Sequence, residues 1–184
     1  ILDYESKPII HSLDGLMKRS ENLTAELLVK HIGSSIFDTV GTWNNGLRAI
    51  KTFLHDTVGI DTNTLSLSDG SGLSRYNYSS PNHFITVLSW AYNNKKIRNR
   101  FLNVLPVGGV DGTIKERLIN IDTTTTILAK TGTLSGSSCL SGYIISDTKN
   151  PIAFSILMNG FVKSSKPFRK LQDDIIYALS EIKL

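Results

Sequence analysis

Cysteine is nearly absent. The chain of 184 residues has one, Cys139, so no internal disulfide can form. That leaves the compartment open, because many exported bacterial proteins also lack disulfides. No apolar run approaches the roughly 18 residues of a transmembrane helix. The four histidines, His11, His31, His55 and His83, form no His-Glu-x-x-His or His-x-x-Glu-His pattern and have no cysteine partner, so the spacing that puts metal ligands on one helix face is missing. No Gly-x-x-x-x-Gly-Lys-Ser/Thr loop occurs, and the Gly-rich stretches 69–77 and 107–112 do not join a strand to a helix in a nucleotide-binding unit. The basic excess is only +4. Its two short clusters, around Lys95–Arg100 and Lys163–Lys170, are the solvated faces such runs normally make, which argues against a nucleic-acid surface. The chain opens Ile1-Leu2-Asp3-Tyr4, with no methionine and no signal-peptide pattern. The expectation is a fragment, or a chain trimmed at its front.

What remains is an ordinary globular composition, 40% hydrophobic and 20% charged, at a length that suits one domain or a large piece of one. Ser12–Lys18 reads as a short helix. A second helical pattern carries Leu23, Leu27, Leu28 and Ile32 on one face, with Gly33 as its stop. Thr42 is a candidate N-cap for a helix bearing Trp43, Leu47, Ile50 and Leu54. A short strand is expected at Thr64–Leu67, then a loop from Asp69 to Asn77. Ser80-Pro81 opens the clearest helix, and a further short one covers Ile97–Leu102. The last third changes character. Thr123–Ala129, Ser141–Ser146 and Ile152–Met158 read as strands, close enough together to be antiparallel. A closing helix is expected to turn Phe168, Leu171, Ile175, Leu179 and Ile182 inward. No repeat, linker or low-complexity segment divides the chain.

Two short patterns could carry chemistry: Ser20-x-Asn22 at a helix junction, and Lys130-Thr131-Gly132 on an expected strand. Singly, the first reads as a helix cap and the second as a chance tripeptide. In this order, about a hundred residues apart, they match two of the three elements of the penicillin-recognising serine enzymes.

The surrounding residues sharpen the match. Met17 to Leu28 around Ser20-Glu21-Asn22, the loop Asp69-Gly70-Ser71-Gly72-Leu73-Ser74-Arg75-Tyr76-Asn77, the loop Leu105 to Thr113, and Ala129-Lys130-Thr131-Gly132-Thr133-Leu134 together resemble the class C low-molecular-mass penicillin-binding proteins. These form the D-alanyl-D-alanine carboxypeptidase/endopeptidase family. The resemblance runs from about Ser6 to the final helix. It implies an α/β fold of the β-lactamase/transpeptidase kind, an antiparallel sheet flanked by helices, of which residues 1–184 would be the C-terminal part. The implied activity is serine-type cleavage of peptidoglycan stem peptides through an acyl-enzyme, inhibited by β-lactams, in the periplasm or another extracytoplasmic place, without cofactor or metal. Ser20 would relay a proton to the leaving amine, Asn22 would hold the substrate amide, and Lys130 would hold a positive field over its carboxylate. Thr131 and Thr133 would contact that carboxylate, Gly132 would let it approach the strand, and the Thr133 N–H would be half of an oxyanion hole.

The family's first motif, Ser-x-x-Lys, carries the nucleophile and precedes Ser-x-Asn. It does not occur in the nineteen residues before Ser20. Ser146-Asp147-Thr148-Lys149 and Ser180-Glu181-Ile182-Lys183 have the spacing but follow Lys130, so neither has the family order. The expectation is that this chain alone is inactive and needs the N-terminal half of the same protein, which would cover a sheet edge and apolar helix faces left exposed here. Three other readings compete. One is a catalytically dead relative whose cleft binds wall peptides, another is a β-lactamase, disfavoured by the loops 69–77 and 105–113, and the most distant is nucleic-acid binding. Asp69, Ser71 and Arg75 read as loop-forming, Glu21 as pointing elsewhere, and Cys139 as a packing residue.

Overall fold

Glycine sets how the helical half packs. The computed structural model describes residues 5–182. It begins with α1 (Ile9–Lys18), α2 (Asn22–Phe37) and α3 (Trp43–Phe53). Thr42 caps α3 as its position predicts, its hydroxyl accepting the Asn45 N–H at 3.2 Å. Gly33 does not stop α2, which runs on to Phe37 and ends on Asp38 in the left-handed region (φ 48°). Gly33 is buried instead, where a β-carbon would stand 2.5 Å from the Gly46 N of α3. One at Gly46 would overlap the Val29 carbonyl. The two helices therefore meet at backbone contact, and the inward face of α2 is Ala25, Val29 and Gly33. The leucine face points outward instead: Leu23 is 72% and Leu27 56% exposed.

Beyond α3 come a π-helical turn, Leu54–Val58, and a 3-10 turn, Thr62–Thr64. The strand expected at 64–67 shrinks to a single bridge between Ser66 and Tyr78. α4 (Pro81–Asn93) starts with Ser80 at its cap, and the His83 ring accepts the Ser80 N–H at 3.2 Å. α5 (Arg98–Val104) and a 3-10 turn at Gly112–Ile114 lead to the sheet.

The sheet is antiparallel in the order β1 (Thr125–Leu134), β2 (Ser137–Ser146), β3 (Ile152–Asn159). Strand alternation splits it into two faces. Ile127, Ala129, Leu140, Ile144 and Phe154 pack with Ile176 of the last helix, α6 (Lys166–Glu181). Tyr143 and the flanking Leu128 pack with Leu88 of α4 and with Leu105. Each buried Leu, Ile or Phe among them stabilises the fold by roughly 1.5–3 kcal/mol.

α6 turns part of its expected face inward, with Leu179 against the core and Phe168 and Ile175 half-buried. Gln172 and Ile176 are fully buried, whereas Leu171 is half exposed and Ile182 is also exposed. A buried amide survives because every polar atom is matched. The Gln172 Nε2 donates to Ser138 O and Oγ at 3.0 and 3.2 Å, and its Oε1 accepts from Arg117 at 3.1 Å. Arg117 also pairs with Asp173 at 2.8 Å. Among the described residues no helix is long and apolar enough to cross a membrane.

Candidate active site

The edge strand β1 carries the site, and its register decides what points where. The Gly108 N–H donates to Ile127 O at 2.9 Å and the Ala129 N–H to Pro106 O at 3.0 Å, so odd-numbered residues aim their backbone groups away from β2. Residues two apart share that direction, so the Thr131 and Thr133 backbone groups face outward too. The segment Pro106–Gly108 plugs the edge only beside Ile127–Ala129. Among the described residues no strand or bridge pairs with the outer edge of Lys130–Leu134. The Thr133 N–H therefore sits on an open edge.

Side chains alternate in the same way. Lys130 shares the face of Leu128, toward the helices, and its Nζ reaches Ser20 Oγ at 2.8 Å and Thr131 O at 2.9 Å. Both are neutral oxygens. Burial pulls the Lys130 ammonium below the ordinary lysine range, because among the described residues no carboxylate stands by to offset the lost water. A half-buried cation of this kind is suited to an incoming anion.

Ser20 lies between α1 and α2 with φ 58°, in the left-handed region unusual for a residue with a β-carbon. The bend is held from both sides. Lys18 pairs with Asp111, whose other carboxylate oxygen accepts the Val107 N–H at 2.8 Å. Arg19 and Thr24 grip the Glu21 carboxylate at 2.9 and 3.0 Å and hold it below its usual range. Glu21 is thereby occupied away from Lys130, as expected. Asn22 is the first residue of α2 and exposed; among the described residues its side chain makes no hydrogen bond.

Two loops close around this strand. In the first, Asp69 accepts from the N–H groups of Gly72 and Ser74 at 2.7 and 2.6 Å and from the Asn77 amide at 2.9 Å. Burial pushes its carboxyl up, but these donors outweigh it and the net shift is downward. Glu26 of α2 anchors the same loop through Gly70 and Ser71 N–H at 3.1 and 3.0 Å. Arg75 ties it to the β1–β2 turn by donating to Ser135 O at 2.8 Å. Asp69 and Arg75 are thus loop-forming, as the sequence suggests. The second loop brings Thr113 to Thr131, hydroxyl to hydroxyl at 2.8 Å.

Thr133 is exposed and its hydroxyl meets Arg169 of α6 at 3.4 Å. Gly132 has room on the protein side, since a β-carbon would only touch that of Cys139 at 3.5 Å; the space it leaves open faces solvent. Burial raises the Cys139 thiol, which fits packing and not nucleophilic work. Thr113, Asp111 and Arg169 escaped the sequence reading. Asp111 and Thr113 lay inside a loop already singled out, whereas Arg169 lay in the basic cluster Lys163–Lys170, read as a solvated face.

Both late Ser-x-x-Lys stretches lie away from this chemistry. The Ser146 hydroxyl shares a hydrogen bond with Thr148, and Lys149 donates to Ser180 O at 2.7 Å. Ser180 donates to Tyr177 O at 2.7 Å, and Lys183 lies outside the described residues. A depression of about 540 Å³ between α3 and residues 62–67 holds none of the residues above.

The chain has known relatives in both sequence and structure. The pattern of the D-Ala-D-Ala carboxypeptidase 3 (S13) family matches residues 1–181. The chain is 36% identical over 186 residues to the D-alanyl-D-alanine carboxypeptidase of Actinomadura sp. (strain R39), a match covering 98% of this chain and 34% of that one. It is similar to the crystal structure of penicillin binding protein 4 from Haemophilus influenzae, with TM-score 0.86 and 29% identity, over 96% of this chain and 41% of that one. The chromosome-encoded β-lactamase of Vibrio parahaemolyticus shares the fold alone, with TM-score 0.72 and 18% identity over 95% of this chain and 65% of that one. The antiparallel sheet and its helices are therefore of the β-lactamase/transpeptidase kind. The chain spans about a third of the length of the curated relatives it matches.

Proposed function

From a chain that belongs to the D-Ala-D-Ala carboxypeptidase 3 (S13) family, we infer a working part of a serine-type D-Ala-D-Ala carboxypeptidase/endopeptidase that β-lactams acylate. The observation that carries this reading is the 2.8 Å contact from Lys130 Nζ to Ser20 Oγ, beside an open strand edge. In the reaction a serine of a Ser-x-x-Lys motif, supplied by the rest of the polypeptide, attacks the carbonyl between two D-alanines. The terminal D-alanine leaves with a proton, and water then releases the acyl group.

Each residue has a physical task. Because Lys130 donates to the Ser20 oxygen, the hydroxyl proton of Ser20 is free to be given to the departing amine. The Lys130 ammonium, held low by burial, then steadies the oxygen left behind and attracts the substrate carboxylate. The hydroxyls of Thr131 and Thr133 donate to that carboxylate, and the outward Thr133 N–H donates to the growing oxyanion. One such donor is worth roughly 3–4 kcal/mol in the transition state. Asn22, exposed at the start of α2, holds the substrate amide, and Gly132 leaves room for it at the strand.

Substrates of this chemistry are peptidoglycan stem peptides, which puts the protein in the periplasm or another extracytoplasmic place. The remaining polypeptide is also the natural cover for Leu23, Leu27 and Ile36, all more than half exposed on α2.

Labelling the intact polypeptide with fluorescent penicillin and mapping the modified peptide by mass spectrometry tests the reading. An adduct on a Ser-x-x-Lys serine outside this chain is the expected result. An adduct on Ser146 or Ser180 would overturn the site. Folded protein that takes no label would instead make this a module that binds wall peptides without cutting them.

A further inference from the structure

We propose that Arg169 is a substrate-binding residue, a second cation for the anionic end of the ligand, placed on the opposite face of β1 from Lys130. The assignment rests on the reading above and extends it to a helix that the motifs do not include.

The charges of α6 single this residue out. Its natural partner one turn on, Asp173, is taken by Arg117, which binds that carboxylate through Nε at 3.1 and 3.2 Å and through Nη2 at 2.8 Å. Asp174 is taken by Lys170 at 2.7 Å. Among the described residues Arg169 makes no ion pair, and its guanidinium points instead at Thr133 Oγ1.

Its base is fixed as well. Arg117 Nη2 donates to Arg169 O at 3.2 Å. The next turn is pinned to the sheet by Gln172, which donates to Ser138 O, and Ser138 is the cross-strand partner of Thr133. Phe168 stacks on Phe161 with ring centroids 3.9 Å apart. A carboxylate resting at the open edge beside Thr131 and Thr133 would therefore lie between Lys130 on one face and Arg169 on the other. A guanidinium presents paired N–H donors that match a carboxylate.

The test uses the intact polypeptide and two acylating probes, benzylpenicillin and its methyl ester, which lacks the negative charge. Arg169→Gln is expected to slow acylation by benzylpenicillin about tenfold and leave the methyl ester unchanged, whereas Arg169→Lys, which keeps the charge but not the paired donors, falls between Arg169→Gln and the wild type. Arg169 is exposed, so the thermal midpoint should not move. Equal losses with both probes, or none with either, would overturn the assignment. A wild-type protein that resists both probes overturns the enzymatic reading and shifts the measurement to binding of N-acetyl-D-alanyl-D-alanine. A roughly tenfold weaker affinity in Arg169→Gln then supports the assignment, and an unchanged one overturns it.

Discussion

Lys130 Nζ donates to Ser20 Oγ at 2.8 Å across 110 positions of sequence. The contact joins the bend between α1 and α2 to the edge strand, and so links the helical part of the chain to the sheet.

Replacing Lys130 by Met in the intact polypeptide should lower the rate of penicillin acylation by about 100-fold, as for loss of one preorganised group in a polar site. Stability should not fall, because among the described residues the side chain has no carboxylate partner to lose. A thermal melt beside the labelling time course checks both halves.

The same lysine predicts a pH dependence. Its value in the folded state lies below the ordinary 10.5, so acylation should decline on the alkaline side as Lys130 loses its charge, before an unperturbed lysine would. Between the folded value and 10.5 the unfolded chain binds more protons, so the Lys130 contribution to stability rises with pH across that window. The alkaline limb of the acylation profile should vanish in Lys130→Met.

Two glycines should respond in opposite ways. Gly46→Ala pushes a methyl into the Val29 carbonyl and should destabilise by about 3 kcal/mol, at the upper end of overpacking costs. Gly132→Ala meets nothing closer than 3.5 Å and should fold normally, yet slow acylation by crowding the approach to the strand. Chemical denaturation and labelling rates separate the two effects.

Asp69→Ala should free the loop 69–77. Loss of its charge-assisted bonds predicts about 1–2 kcal/mol and faster proteolysis near Leu73, with Asp69→Asn milder. The folded carboxyl titrates below its ordinary 3.8. Its contribution is therefore complete above about pH 4 and lost as pH falls through the folded value. Cleavage assays at neutral and acid pH would expose a loop that behaves otherwise.

Arg117→Met leaves Asp173 half-buried without its partner and should destabilise by about 3 kcal/mol or more. Asp173→Asn in the same background should recover part of that loss, measurable by denaturant titration.

The local signals were readable wherever one residue decides the outcome: Thr42 at a cap, Ser80-Pro81 at a helix start, and β-branched runs in the strands. Ser20 and Lys130, which meet at 2.8 Å, were brought together only by the family resemblance. Reading failed where the outcome depends on what arrives from elsewhere in the chain. Gly33 looks like a stop because glycine ends helices, but α3 approaches so closely that only a missing side chain fits there. The same approach turns small Ala25 and Val29 inward and leaves larger Leu23 and Leu27 outside. Gln172 could not be placed in a core without knowing that Ser138 and Arg117 would satisfy it. Arg169 stood in a basic cluster that reads as a solvated face, since its freedom follows from Arg117 having claimed Asp173.

Ser20 holds its hydroxyl on a backbone with φ 58°, a conformation that a β-carbon disfavours by roughly 1–2 kcal/mol. Glycine would relieve that strain and delete the hydroxyl in one substitution. A laboratory evolution experiment that rewarded folding alone would therefore erode this position early, drifting toward a sturdier protein in which Lys130 has lost its hydroxyl partner.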